Sequence, residues 1–201
     1  MLGAGLRLCS NLFNREGRKN AEEYYPSRRL IKLRALRYFS VQLNNMLLAT
    51  LCYLKRDGHT LMVHRNKKPG DIHAGKWNGL GGKFEPGETP EECVIREVRE
   101  ESGLEIVEPR LHGLVMFPGF KGNDWYVFVF TATEFTGGLI DSPEGDLRWV
   151  PDEELESLSL WPSDKIFFAW MKEDKFFSAK FVYEGEEMRN HAASFHPPEK
   201  V

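Results

Sequence analysis

Between Gly82 and Leu104 the chain reads GKFEPGETPEECVIREVREESGL, the stretch that most limits how it can fold. Its middle predicts a helix over residues 90–102 with both ends written into the sequence. Thr89 and Glu92 have the spacing of a capping box, in which each side chain satisfies a backbone N–H that the helix start leaves orphaned. Pro90 falls at the first helical position, where its missing N–H costs nothing. Gly103 supplies the left-handed residue that closes helices. At about 100° per residue, Glu97, Glu100 and Glu101 share one side, while Val94, Ile95 and Val98 point roughly the other way, towards a core. Carboxylates at such spacings repel by a few tenths of a kcal/mol per pair. Hard oxygen donors on a rigid support are what Mg²⁺ or Mn²⁺ needs, with phosphate oxygens completing the shell. On spacing alone, a metal site and a solvated acidic face both stay open.

The rest of the chain is of ordinary globular make-up. Its 201 residues are 41% hydrophobic and 28% charged, which excludes collagen-like, low-complexity and wholly disordered classes. No window approaches the roughly 18 consecutive apolar residues of a membrane span, so no membrane partner is expected. Cys9, Cys52 and Cys93 are odd in number and widely spaced, which fits neither a disulfide framework nor a zinc site. A reducing, cytoplasmic compartment is the default expectation.

Charge divides the sequence. Residues 1–45 hold nine basic and three acidic residues, against 18 basic and 27 acidic in the remainder. Within this first part Leu30, Ile31, Leu33, Leu36 and Phe39 could line one face of a basic helix, a pattern that suits a transit peptide, an anionic surface or nucleic acid. Three glutamates and few serines speak against an organelle signal. We read residues 1–45 as a solvated extension, disordered or not part of the natural product, with translation beginning at Met46 as a further alternative. Nucleic acid is not expected as a partner except through this extension.

From Met46 onward, apolar runs and turns alternate. Strands are expected at Met46–Tyr53, Thr60–His64, Leu111–Phe117, Trp125–Thr131, Leu147–Val150 and Phe176–Tyr183, with a turn at Asp57-Gly58. A Gly-, Lys- and Pro-rich loop runs to Lys76, and residues 163–172 look helical. Strands interrupted by single helices predict an α/β class, a mixed sheet with helices on its faces. Residues 46–185 form the expected domain and residues 186–201 a polar, loose tail.

Gly82, Glu88, Arg96, Glu97, Val98, Glu100, Glu101, Gly103 and Leu104 match the pattern G-x5-E-x7-R-E-U-x-E-E-x-G-U, U being aliphatic, at every specified position. By this pattern the chain resembles the Nudix hydrolases. The resemblance implies a mixed sheet between helices (α/β/α) that carries a loop–helix–loop catalytic motif. It implies hydrolysis of a nucleoside diphosphate linked to another group, with Mg²⁺ as cofactor and Mn²⁺ as a substitute. By the same precedent Glu97, Glu100, Glu101 and the carbonyl of Gly81 hold metal, while Arg96 and Glu88 pair to fasten loop to helix. Bound metal neutralises phosphate charge and lowers the pKa of a water, whose proton a carboxylate then accepts.

The similarity extends to Trp77-Asn78-Gly79-Leu80-Gly81-Gly82-Lys83 before the helix and Leu160-Trp161-Pro162-Ser163-Asp164 after it. Both resemble the oxidised-purine nucleoside triphosphatases of the MutT/MTH type, enzymes that prevent DNA damage by sanitising the nucleotide pool. The implied substrate is a purine nucleoside triphosphate such as 8-oxo-dGTP, cut to monophosphate and pyrophosphate. Carried over, Asn78 and Asp164 read the base edge and Trp161 and Phe117 bracket its ring. Thr50 lines the pocket, and Leu80, Gly81, Gly82, Pro162 and Ser163 flank it. Arg65 and Lys83 face the phosphates, and Glu144 is a further acid, as metal ligand or base. Relatives of the animal type have two consecutive aspartates after Trp-Pro. Ser163 replaces the first here, so a narrower or shifted base preference is expected.

His64, His73 and His112 make no metal pattern and are read as structural, and Trp125 and Trp149 as core or rim. Hydrolysis of ADP-ribose, a nucleotide sugar or a dinucleoside polyphosphate is the nearest alternative, weakly favoured by Pro118. A non-catalytic nucleotide-binding module is the second, and RNA processing the third, prompted only by the basic extension. A monomer is expected.

Overall fold

The computed structural model describes residues 46–173 and 175–196. The basic extension of residues 1–45, with the apolar set Leu30 to Phe39, lies outside them. So do residues 197–201.

Strand β1 (Met46–Arg56) turns into β2 (His59–His64) through Asp57 and Gly58, with φ of 50° and 71°. Two consecutive left-handed residues make the turn whose twist matches paired strands. The short β3 (Trp77–Asn78) and α1 (Pro90–Ser102) follow. Then come β4 (Leu104–Val107), β5 (Arg110–Phe120), β6 (Asn123–Ala132), β7 (Glu134–Gly137) and β8 (Asp146–Pro151). A single 3-10 turn (Leu155–Ser157) leads to α2 (Pro162–Met171), β9 (Phe176–Glu184) and β10 (Glu187–His196).

The main sheet has eight strands, β10-β9-β5-β6-β1-β2-β3, with β8 also paired to β2. Among the described residues only the β1–β6 and β5–β9 pairs are parallel, so the sheet is mixed as expected. Both of its faces are covered. Along β1, Tyr53 enters the cluster that packs Phe167 and Phe168 of α2, while its neighbours Cys52 and Leu54 enter the one that holds Val94 and Val98 of α1. On β2, Met62 faces α2, and Leu61 and Val63 face α1. Period-two alternation inside continuous apolar runs is what a sheet buried on both sides requires.

Helix α1 ends as its sequence predicts. Thr89 and Glu92 form the reciprocal capping box, and Gly103 closes the helix at φ 76°. Among the described residues, no helix is long and apolar enough to cross a membrane.

Three features depart from the sequence reading. The stretch read as a loose tail contains β10, which pairs with β9 from Glu187↔Glu184 to His196↔Phe176. Its sequence, EMRNHAASFH, shows no apolar alternation because it is an edge strand exposed almost throughout. Secondly, β4 and β7 form a separate two-stranded sheet from segments too short to signal themselves. Thirdly, α2 begins at Pro162, one residue earlier than read, with Pro at its first position.

Candidate active site

Beyond its pairing with β2, the edge of β1 is taken up by the segment that enters α1. Thr50 N–H donates to the Gly82 carbonyl at 2.8 Å, and Cys52 and Leu80 exchange backbone bonds at 2.6 and 2.9 Å. Such closeness depends on missing side chains. A Cβ on Gly81 would sit 2.3 Å from the Thr50 carbonyl oxygen, and one on Gly82 would sit 2.6 Å from the Glu97 carboxylate. These glycines let a strand edge and an acidic helix face meet across one turn of backbone.

Glu101 is buried, and one carboxylate oxygen accepts the Gly81 N–H at 2.9 Å. Burial pushes its carboxyl up to about 8, with Glu144 and Glu97 adding to the rise and the Gly81 N–H and Arg65 opposing it. Glu97 is likewise raised by burial, although Arg96 donates to it at 2.8 Å. Arg96 also grips Glu88 with two bonds, at 2.6 and 2.9 Å, and the Lys83 carbonyl at 3.0 Å. That bidentate grip holds Glu88 down to about 2 and fastens the loop to the helix, as the spacing implied. Glu100 points away, its side chain 54% exposed and paired with Arg96 at 3.3 Å.

Glu144 reaches the same place from the segment between β7 and β8, and is buried. Lys68 hydrogen-bonds one of its oxygens. Arg65 lies 2.6 Å from the other, an ion pair in which no N–H points squarely at the oxygen. The same guanidinium lies 3.7 Å from Glu101 and donates to Asp71 at 2.7 Å. Among the described residues no three side chains of metal-binding type converge as a coordination set. What the structure places among these acids is positive charge on Arg65 and Lys68.

From this end a chain of bonds leads away. Asp71 accepts the His73 N–H at 2.9 Å, and His73 Nδ1 accepts the Trp161 indole N–H at 2.9 Å. An indole nitrogen can only donate, so the His73 ring proton sits on Nε2. Burial first, and Arg65 second, push His73 down to about 4, which keeps it neutral. The histidine read as structural therefore lines the cavity and joins its two ends.

The far end is aromatic. Trp161 is buried, with Phe120 and Tyr183 edge-on to it at 5.2 and 5.7 Å. Phe117 stacks on Phe181 at 5.7 Å and tilts towards Tyr183. Asp164 is buried at the start of α2 and accepts from the Ser163 hydroxyl at 3.2 Å. Burial raises its carboxyl to about 7, with Ser163 opposing. Oδ1 of Asn78 is buried without a hydrogen-bond partner. A buried acceptor left unpaired costs about 1–3 kcal/mol, so such an atom on a cavity wall is a site for a ligand donor.

Both ends belong to one cavity of about 560 Å³, within the range of small-molecule sites. Of the residues expected from the sequence, Thr50, Arg65, Asn78, Gly81, Gly82, Lys83, Glu97, Glu101, Phe117, Glu144, Trp161, Ser163 and Asp164 line it. Leu80, Pro162 and Glu100 do not. Leu80 pairs with β1 through its backbone while its side chain is fully buried in the α1-side core, and Pro162 caps α2 from its exposed side. Sequence reasoning missed Lys68, Asp71, His73, Phe120 and Tyr183. Only Tyr183 left a signal, as the fourth of the alternating set Phe177, Ala179, Phe181 and Tyr183 on β9.

The NUDIX domain family model matches residues 46–171. The chain belongs to the Nudix family. It is 33% identical over 143 residues to the uncharacterised Nudix hydrolase YvcI of Bacillus subtilis, covering 68% of this chain and 87% of that one. It is 30% identical over 142 residues to the oxidized purine nucleoside triphosphate hydrolase of Danio rerio, covering 70% and 89%. Among solved structures, the MutT protein of Bacillus halodurans superposes with a TM-score of 0.64 at 28% identity, covering 73% of this chain and 97% of that one. The protein is thus a Nudix hydrolase, and hydrolases of this family generally use divalent metals such as Mg²⁺.

Proposed function

We propose that this chain hydrolyses purine nucleoside triphosphates of the oxidised kind, such as 8-oxo-dGTP, to the monophosphate and pyrophosphate, so sanitising the nucleotide pool. One observation carries the reading. A single cavity has a cluster of buried carboxylates and cations at one end and an aromatic pocket with Asn78 and Asp164 at the other. That spacing suits a flat base joined to a phosphate chain.

The acidic end fits a hard cation. Glu97, Glu101 and Glu144 supply only oxygen donors, and their burial together demands the positive charge that Arg65 and Lys68 provide. We assign Glu97, Glu101, Glu144 and the Gly81 carbonyl to Mg²⁺, with Glu100 as an outer partner reaching it through water. Bound there, the metal would neutralise phosphate charge and lower the pKa of a water. The chain's own groups do the rest. Arg65, Lys68 and Lys83 bind phosphate oxygens, and a carboxylate of this cluster accepts the proton of the attacking water. The aromatic walls exclude water and hold the base by its faces. Asn78 and Asp164 take its edge.

The test is pyrophosphate release from 8-oxo-dGTP, 2-oxo-dATP, dGTP, dATP, CTP, ADP-ribose and a dinucleoside tetraphosphate, with Mg²⁺ and with chelator. CTP is included because an Escherichia coli relative is a CTP pyrophosphohydrolase, and a phosphatase couples the substrates that release no pyrophosphate. A Mg²⁺-dependent preference for an oxidised purine triphosphate is expected. Preference for CTP, ADP-ribose or the dinucleotide would refute the roles given to Trp161 and Asp164.

A further inference from the structure

Ser163 stands beside Asp164, and its hydrogen bonds run in one direction only. Its backbone N–H donates to the Tyr183 oxygen at 3.0 Å. A backbone N–H cannot accept, so the Tyr183 proton must point elsewhere, and the Ser163 hydroxyl oxygen lies 2.9 Å away to receive it. Having accepted there, that hydroxyl is free to donate to Asp164 Oδ1, at 3.2 Å. The relay begins at a group that is always a donor and ends on a carboxylate oxygen. Ser163 and Asp164 are 1% and 5% exposed, so bulk water cannot easily replace either bond. Tyr183 is held by edge-on contacts to Phe120 and Trp161 at 5.3 and 5.7 Å, and it lines the cavity itself.

We infer that Tyr183 is a positioning residue which, through Ser163, holds Asp164 as a hydrogen-bond acceptor and so selects purines whose edge presents adjacent N–H donors. The inference rests on the purine-pocket reading above. A guanine-type edge offers a ring N–H beside an amino group, and a carboxylate can accept from both. An adenine-type edge sets an amino group beside an unprotonated ring nitrogen, whose lone pair faces the carboxylate unless Asp164 carries a proton. The relay delivers its proton to Asp164 from the protein side, which stabilises the charged, accepting form. Tyr53 from β1 and Tyr183 from β9 are the titratable groups whose charge would act on Asp164, and burial raises both phenols, which stay neutral. Selectivity is therefore built into the relay and not into a neighbouring charge.

The experiment is calorimetric titration of the full chain, in chelator, with the two product-like probes dGMP and dAMP between pH 5.5 and 8.5. The wild type should prefer dGMP, with affinity falling as acid protonates Asp164. Tyr183→Phe keeps the ring and removes the hydroxyl. It should narrow the dGMP-to-dAMP ratio about tenfold, the worth of one hydrogen bond to a charged acceptor, and move the acid fall in dGMP affinity to higher pH. Ser163→Ala cuts the same relay at its middle and should do likewise. The double variant should be no worse than either single one, because the two changes remove one path. A Tyr183→Phe protein with a wild-type ratio and pH profile would overturn the inference, as would fully additive effects. Failure of the wild type to bind either monophosphate would instead overturn the purine-pocket reading beneath it. If Tyr183→Phe does not fold, Ser163→Ala alone decides.

Discussion

At one end of the cavity Glu97, Glu101 and Glu144 share their space with Arg65 and Lys68, while at the other Asp164 lies among phenols and a serine hydroxyl with no cation bonded to it. Both ends bury acid side chains, and burial raises Glu101 and Asp164 alike, to about 8 and about 7. They differ in what relieves the charge. The crowded end holds mobile countercharge in side chains that can exchange partners when phosphate and metal arrive. The isolated end relies on one hydroxyl donor and tolerates a neutral acid. Charge chemistry and base recognition are thereby kept apart along a single cavity, joined through Asp71, His73 and Trp161.

The largest contrast should come from neutralising one acid at each end. Glu101→Gln keeps the volume and the Gly81 contact but removes a charge from the crowded end. Its turnover should fall by about 10²–10³ or more, the scale seen when preorganised electrostatic groups are lost, with little change in melting temperature. Steady-state kinetics beside a thermal melt checks this. Wild-type turnover in the variant would dismiss the metal-site assignment. The matching change at the other end, Asp164→Ala, should weaken selection among bases and leave poor substrates cut at similar rates.

A smaller effect, on stability, tests the countercharge. Arg65→Met preserves much of the side-chain length but leaves Glu101 and Glu144 facing each other without the guanidinium. Removing one partner of a buried ion pair costs about 3–5 kcal/mol. Urea unfolding should show a loss of that order at pH 8 in chelator, with partial recovery when Mg²⁺ is added, since ligand binding to the native state stabilises it. An unchanged unfolding midpoint would mean that Arg65 is not the charge that makes this burial tolerable.

Legibility followed the range of the interactions. The ends of α1, its acidic side and its pairing of Arg96 with Glu88 were readable because capping and helical periodicity act within a few residues. The strands of the doubly covered sheet were readable from their apolar runs. β10 was not, because an edge strand needs no apolar side chains to join a sheet and takes its register from the turn at Gly185, at φ 63°. At the site, Leu80 and Pro162 were over-read because a motif is contiguous while an extended backbone sends alternate side chains to opposite faces. The Arg65–Asp71–His73–Trp161 chain and the Tyr183–Ser163 pair were invisible for a different reason. Each is closed by a loop or a sheet contact between residues as far as 88 apart, and no local pattern encodes such a closure.

The smallest expected effect separates the two ends by pH. Asp164 has an ordinary value near 4 when unfolded and about 7 in the fold. A group raised on folding contributes stability that is fully present below its unfolded value and is lost as pH climbs through the folded one. Between about pH 4 and pH 7 the unfolded chain ionises at Asp164 while the folded chain does not, so the wild type loses stability across that window. Asp164→Asn cannot ionise and escapes the loss. Three units of separation correspond to about 4 kcal/mol, and about 2 is the more realistic figure where an open cavity lets water reach one carboxylate oxygen. The variant's stability relative to wild type should therefore rise by about 2–4 kcal/mol from pH 4 to pH 8 and level off above pH 7. Taking the difference between two proteins cancels every other titrating group, the crowded glutamates included. A difference flat across the window would show that Asp164 ionises as freely in the fold as outside it, and the contrast between an isolated and a compensated acid would fail at its isolated end.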